Sequence, residues 1–129
     1  MARRIPFAVM VLTFARLAHA QAWPSRPITM VVPYPPGGPT DTIARLLAER
    51  MRAPLGQPVV VENTSGAGGT IAVTRVARAP GDGYTVGIGH WGSHVINGAV
   101  YSLPVDLLTD LVPIALIADL QGPKLRIGD

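Results

Sequence analysis

The spacing of apolar residues changes along this chain, and each change marks an element. ITMVVPY, Ile28 to Tyr34, is a nearly continuous apolar run, the pattern of a strand buried on both faces. In the following TDTIARLLAERMRAPLG the period lengthens. Ile43, Leu46, Leu47 and Met51 share one helical stripe while Arg45, Glu49, Arg50 and Arg52 lie elsewhere, and Pro54 and Gly56 are expected to stop the helix. PVVVEN, Pro58 to Asn63, predicts a second strand, and TSGAGG a glycine-rich turn. TIAVTRVARA predicts a shorter helix, with Ile71, Ala72, Val73, Val76 and Ala77 inward, Arg75 and Arg78 outward, and the turn PGDG as its end. YTVGIG, Tyr84 to Gly89, is a third strand, and VPIALIAD, Val112 to Asp119, a fourth after the irregular LPVDLLTDL. Strands alternating with helices predict an α/β fold, a parallel sheet with flanking helices and crossover connections. There is no internal repeat and no low-complexity linker.

In such a sheet a ligand site lies at the carboxyl ends of the strands, where turns meet helix N-termini. The first of these turns is heavily punctuated. Pro33, Pro35 and Pro36 fix backbone angles, and Gly37 and Gly38 let the chain turn sharply and approach a guest closely. Pro39 suits the first helical position, and Thr40 and Asp41 bring side-chain oxygens beside backbone donors that a helix leaves open. Two readings follow: a pocket wall for an anion at a positive helix end, or a plain capped βα turn in which Asp41 complements the helix dipole. Neither G-x-G-x-x-G nor G-x-x-x-x-G-K-[ST] is present, so no nucleotide cofactor is implied. SGAGG, Ser65 to Gly69, also opens a helix and could present amides, but glycine-rich βα turns are common.

The third turn, GHWGSHVIN, Gly89 to Asn97, holds the least ordinary chemistry. His90 and His94 are four apart, as zinc ligands on a helix would be, but no third or fourth ligand of suitable spacing accompanies them. Ser93 beside His94 suggests a nucleophile and base. The G-x-S-x-G elbow is missing, however, and adjacent residues rarely align for that chemistry. Hydroxyl, imidazole and amide groups here fit polar pocket lining better, with Trp91 either an apolar wall or a side chain packed under a neighbouring loop.

Charge alters the picture only until its position is considered. The 129 residues carry 11 basic and 8 acidic side chains, and the pI is near 10.0, which invites a nucleic-acid reading. Arg3, Arg4 and Arg16 lie in the first twenty residues, which leaves eight basic against eight acidic side chains in the remainder. No basic cluster with interleaved aromatics is left to follow a phosphate backbone, so no nucleic-acid partner is expected. Those twenty residues have the plan of an export signal: MARR, the apolar IPFAVMVLTFA, and the small-residue cleavage site AHA, with Pro6 and Arg16 as irregularities. The apolar run is shorter than the roughly 20 residues that span a bilayer. Without cysteine the product has neither disulfides nor a lipidated thiol. The expectation is a cleaved signal over residues 1–20 and a periplasmic product, not inserted in the membrane, from Gln21 onward.

Taken in order, RPITMVVPYPPGGPTDTIARLLAERM, LGQPVVVENTSGAGGTIAVTRVARAPGDGYTV, GSHVINGAVY and LTDLVPIALIA resemble the Bug-type solute receptors of tripartite tricarboxylate transporters. The likeness runs from about Arg26 to Ala118, and four linked motifs make it specific. It implies a two-lobed periplasmic flytrap fold that captures small organic carboxylates, hands them to membrane permease subunits, and is no enzyme. It implies also that the turn Pro35 to Asp41 holds a ligand carboxylate through backbone amides and ordered water, and that the turn His90 to Asn97 lines the same cleft. The candidate ligand-binding residues are then Tyr34, Pro36, Gly37, Gly38, Thr40 and Asp41 in the first turn and Gly68 in the second. The third turn adds His90, Trp91, Ser93, His94 and Asn97. No metal or other cofactor is expected.

Several positions depart from the family pattern. His90 and Trp91 stand where a small hydroxyl pair is frequent, Gly98 where proline is usual, and Thr64 and Ser65 where Arg-Pro is common. Family members are roughly 300 residues, about two domains. From length, residues 21–129 are expected to form only the first part of lobe one, without the second lobe. Two other classes stay open on the residues alone: an exported hydrolase-like α/β enzyme using Ser93 and His94, and a nonfunctional remnant whose exposed sheet edge pairs with another chain.

Overall fold

A computed structural model describes residues 22–116. The expected export signal, residues 1–20, and the chain after Leu116 lie outside the described residues. Three parallel strands, β1 (Ile28–Val32), β2 (Val59–Asn63) and β3 (Thr85–Gly87), form one sheet in the order β2-β1-β3. The register pairs Ile28 with Val59 and Val32 with Asn63 on one side of β1, and Thr29 with Thr85 and Val31 with Gly87 on the other. Helix α1 (Pro39–Leu55) follows β1, and α2 (Thr70–Ala77) follows β2. After β3 come a wide π-helical turn, Gly92–Ile96, and the short α3 (Asn97–Val100).

β1 is central, and its continuous apolar sequence matches burial on both faces. Met30 and Val32 form one core with Ala44 of α1, surrounded by half-buried Tyr34, Leu47, Met51, Val59, Val61, Val86 and Ile88. Val31 alternates to the opposite face, the side on which α2 buries Ala72 and Val73. A strand order of 2-1-3 reverses direction between β1 and β3. That reversal makes a crevice outside the carboxyl ends of these two strands.

Three sequence expectations need correction. In α1 the buried row is Asp41, Ala44 and Ala48, with Met51 half-buried, while Ile43 and Leu46 are turned outward, Leu46 59% exposed. The helix is rotated because Asp41 is anchored to the preceding turn, and the two alanines then allow close approach to the sheet. Ile71 of α2 is likewise exposed, although Ala72 and Val73 are buried as expected. The run from Val112 forms no strand through Leu116, and Ile114 is 80% exposed. β3 spans only three residues, and Pro113 has no N–H to donate to a ladder; the rest of the expected fourth strand lies outside the described residues.

Helix α1 also runs through Pro54 and ends at Gly56, whose left-handed conformation lets its N–H donate to the Arg52 carbonyl at 3.0 Å. At the amino ends of the strands, Arg26 pairs with Asp82 at 3.2 Å and lies 3.9 Å above the Tyr84 ring. Trp23 Nε1 donates to the Asp82 carbonyl. These contacts fasten the segment before β1 to the turn before β3, at the end of the sheet away from the crevice.

Candidate functional site

The first turn owes its shape to a carboxylate behind it. Asp41 Oδ2 accepts the Gly37 N–H at 2.8 Å and Arg45 Nε at 2.9 Å, while Oδ1 accepts Asn63 Nδ2 at 2.9 Å. Asn63 Nδ2 also donates to the Tyr34 carbonyl at 2.9 Å, and its Oδ1 accepts Arg45 Nη2 at 3.1 Å. The Arg45 guanidinium, then the Gly37 N–H and the Asn63 amide, hold the Asp41 carboxyl well below the ordinary carboxylate range. Asp41 therefore stays ionised and neutralised in place. Its carboxylate is buried and fully engaged within the turn, so what Asp41 has left to offer a ligand is its backbone amide.

What the turn leaves open is backbone. Gly38 is the N-cap of α1 and has no side-chain cap, and Pro39 follows it at the first helical position. The amides of Thr40 and Asp41 are first-turn donors, for which an α-helix supplies no acceptor. Pro36 and Gly37 are exposed, and Tyr34, Gly38 and Thr40 are half-buried. The result is a rigid cluster of N–H groups at a positive helix end.

The third turn is self-bonded. Ser93 Oγ donates to the His90 carbonyl at 3.1 Å or to His94 Nδ1 at 2.9 Å, and accepts the His90 N–H at 3.3 Å. Ser93 is 0% exposed, so it holds the turn from inside; neither a ligand contact nor a nucleophilic role fits that position. His94 is half-buried, and burial first, then the neighbouring His90, pushes its imidazole below the usual histidine value. The His94 ring packs so closely on Gly89 that a Cβ there would clash with the ring and lie 2.6 Å from Ser93 Oγ. His90 faces outward. Its Nδ1 accepts the Gly92 N–H at 3.0 Å, which places the neutral ring's proton on Nε2. Trp91 is 70% exposed and so is not packed under a neighbouring loop.

Three contacts join the turns. Tyr34 and His90 stack across the crevice with ring centroids 5.0 Å apart and planes 12° from parallel. Buried Asn97 donates from Nδ2 to the Gly68 carbonyl at 2.8 Å, so Asn97 and Gly68 brace the second turn to the third. At Gly69, with φ of +95°, a Cβ would lie 3.0 Å from Pro33 Cβ and 3.2 Å from Ser93 Cβ, so only glycine lets the three chain segments meet there.

Of the twelve predicted residues, the structure gathers all twelve at the carboxyl end of the sheet but gives them different tasks. Asp41, Ser93 and Asn97 brace; His90, Trp91, Pro36, Gly37 and Gly68 are exposed. Sequence reasoning missed Arg45, Asn63, Gly69 and Gly89. The spacing of Asp41 and Arg45, four apart on a helix, was a readable signal. Asn63, a lone amide ending an apolar strand, was a weaker one. Two shallow depressions lie elsewhere: about 360 Å³ between Thr70, Ile71, Thr74 and Tyr101–Pro104, and about 290 Å³ beside Arg45, Arg52 and Val59. Among the described residues no three His, Cys, Asp or Glu side chains cluster as metal ligands would.

A parallel α/β layer with polar turns gathered at its switch point is the architecture of one lobe of a periplasmic binding protein. The chain belongs to the tripartite tricarboxylate transporter receptor family, whose profile, described as "Tripartite tricarboxylate transporter family receptor", matches residues 43–122. The family consists of solute-binding receptors, which are not enzymes. Protein BugT of Bordetella pertussis is 42% identical over 115 residues, covering 84% of this chain and 35% of BugT. MatC from Rhodopseudomonas palustris with bound malate superposes with a TM-score of 0.69 at 48% identity, over 73% of this chain and 32% of MatC. A second R. palustris structure, with adipate, gives 0.64 at 46% identity, over 67% of this chain and 29% of that one. The chain thus spans about a third of the length of the curated relatives it matches.

Proposed function

We propose that this chain supplies carboxylate-capturing surface to the receptor of a tripartite tricarboxylate-type transporter. In this proposal the leader MARR to AHA is cleaved, the product works in the periplasm, and the captured acid passes to membrane permease subunits. The observation that carries the proposal is the first turn: Gly38 caps α1 without a side-chain hydrogen bond, the first-turn amides have no helical acceptor, and Asp41 is clamped and neutralised beside them. A carboxylate at such an end gains about 0.3–1 kcal/mol from the helix dipole, and up to about 2 when partly buried. Malate and adipate in the relatives' structures belong to the ligand class this geometry suits. Buried Ser93 speaks against the hydrolase alternative.

Calorimetric titration of the full chain with malate and with adipate tests this. The expected result is saturable binding of at least one acid, weakened tenfold or more by Gly38→Ala. Gly38 has φ of −78°, and an added Cβ would meet only the Pro35 carbonyl oxygen at 3.6 Å, so the variant should fold normally while its methyl obstructs the approach to the amides. Unchanged binding by the variant, or no saturable binding of any carboxylate offered, would overturn the proposal.

A further inference from the structure

The crevice between β1 and β3 carries an aromatic surface that carboxylate capture at the first turn does not use. Tyr34 lies two residues beyond β1 and His90 three beyond β3, so their stack spans the switch point itself. At 5.0 Å and 12° the pair has the geometry of an offset ring stack. Tyr34 is half-buried against the core, whereas His90 is exposed. The accessible surface of the stack is therefore the imidazole's. That ring is held in plane before any guest arrives: Nδ1 accepts the Gly92 N–H, and the other face rests on Tyr34. A guest stacking on it loses little entropy from ordering the protein. Trp91, the next residue, adds a second large aromatic side chain at 70% exposure. A preorganised ring stack that includes Tyr34, in the same turn as the proposed carboxylate seat, favours a guest that combines both features.

We propose that this site prefers aromatic carboxylates, with the acid's ring lying on His90 over the Tyr34–His90 stack and its carboxylate at the first turn of α1. The inference rests on the carboxylate reading above and names the carbon skeleton that reading leaves open. Benzoate and cyclohexanecarboxylate make the matched pair, since both are monocarboxylates on six-membered rings and only benzoate is planar.

Both acids would be titrated calorimetrically into the full chain, together with malate and adipate. Benzoate is expected to bind roughly two- to tenfold more tightly than cyclohexanecarboxylate, the factor that one added ring stack supplies. His90→Phe, which keeps a flat ring against Tyr34, should retain a preference for benzoate, and His90→Ala should bring the ratio close to one. The comparison of the two acids on the unaltered chain needs neither variant to fold. Equal affinities, or binding of malate or adipate with no binding of benzoate, would overturn the aromatic preference and leave carboxylate capture standing. A benzoate preference that persists unchanged in folded His90→Ala would overturn the seat on His90. Absence of binding by all four acids would overturn both proposals together.

Discussion

Asp41 shows how one side chain can shape a proposed binding surface without facing it. A carboxylate near an anion site is repulsive unless neutralised, and here Arg45 lies against it at 2.9 Å while Gly37 and Asn63 complete its hydrogen bonds. The same contacts set the rotation of α1, because the anchored residue begins the row that meets the sheet. They also make a pH dependence. With the folded value depressed below the ordinary 3.8, the stabilisation from Asp41 is fully present above about pH 4. It fades as pH falls from there toward the folded value, because the unfolded chain then binds a proton that the folded chain does not. Urea unfolding between pH 2.5 and 5 should therefore show stability rising with pH, and Asp41→Asn should flatten that rise. An equal slope in both proteins would mean that the clamp is not formed in solution.

At the scale of elements, the three turns behave as one braced unit because amides cross between them. Asn63 ties the end of β2 to the first turn, and Asn97 ties the third turn to the second. Asn97→Ala would leave the Gly68 carbonyl without this partner, at a cost of about 0.5–1.5 kcal/mol. Faster amide exchange is expected at Gly69, Thr70 and the Gly92–Ile96 turn, with β1 unaffected; uniform exchange across the molecule would contradict the brace. The three strands of the sheet and α1 were legible in the sequence from continuous apolar runs and a long charged-and-apolar period, whereas the equally apolar run from Val112 forms no strand through Leu116. Which face of α1 is buried was not legible, since a buried aspartate and two alanines outweigh Ile43 and Leu46 only once the anchor to Gly37 is known. That these polar turns gather at the carboxyl ends of the strands was legible from turn composition. The division of its residues into braces and exposed groups was not, because Ser93, Asn97 and Asp41 look like ligand groups until their partners are seen.

Across the whole molecule, charge is balanced beyond the first twenty residues, with eight basic and eight acidic side chains. With charge balanced there, the proposed attraction for a carboxylate rests on local dipoles at the crevice. The fold supplies these by its order of strands: β1 in the middle, β2 and β3 on either side, and the turns after β1 and β3 facing each other. Helix α1 contributes the positive end, and Asp41, Arg45 and Asn63 keep it in place. The central claim is that a carboxylate seats on the amides of that first turn. Its most direct test is a malate titration of the isotopically labelled full chain, followed residue by residue through backbone amide chemical shifts. Saturable shifts should be largest at Gly38, Thr40 and Asp41 and smaller at His90. Shifts confined to the depression beside Arg52 and Glu49, or none that saturate, would contradict it.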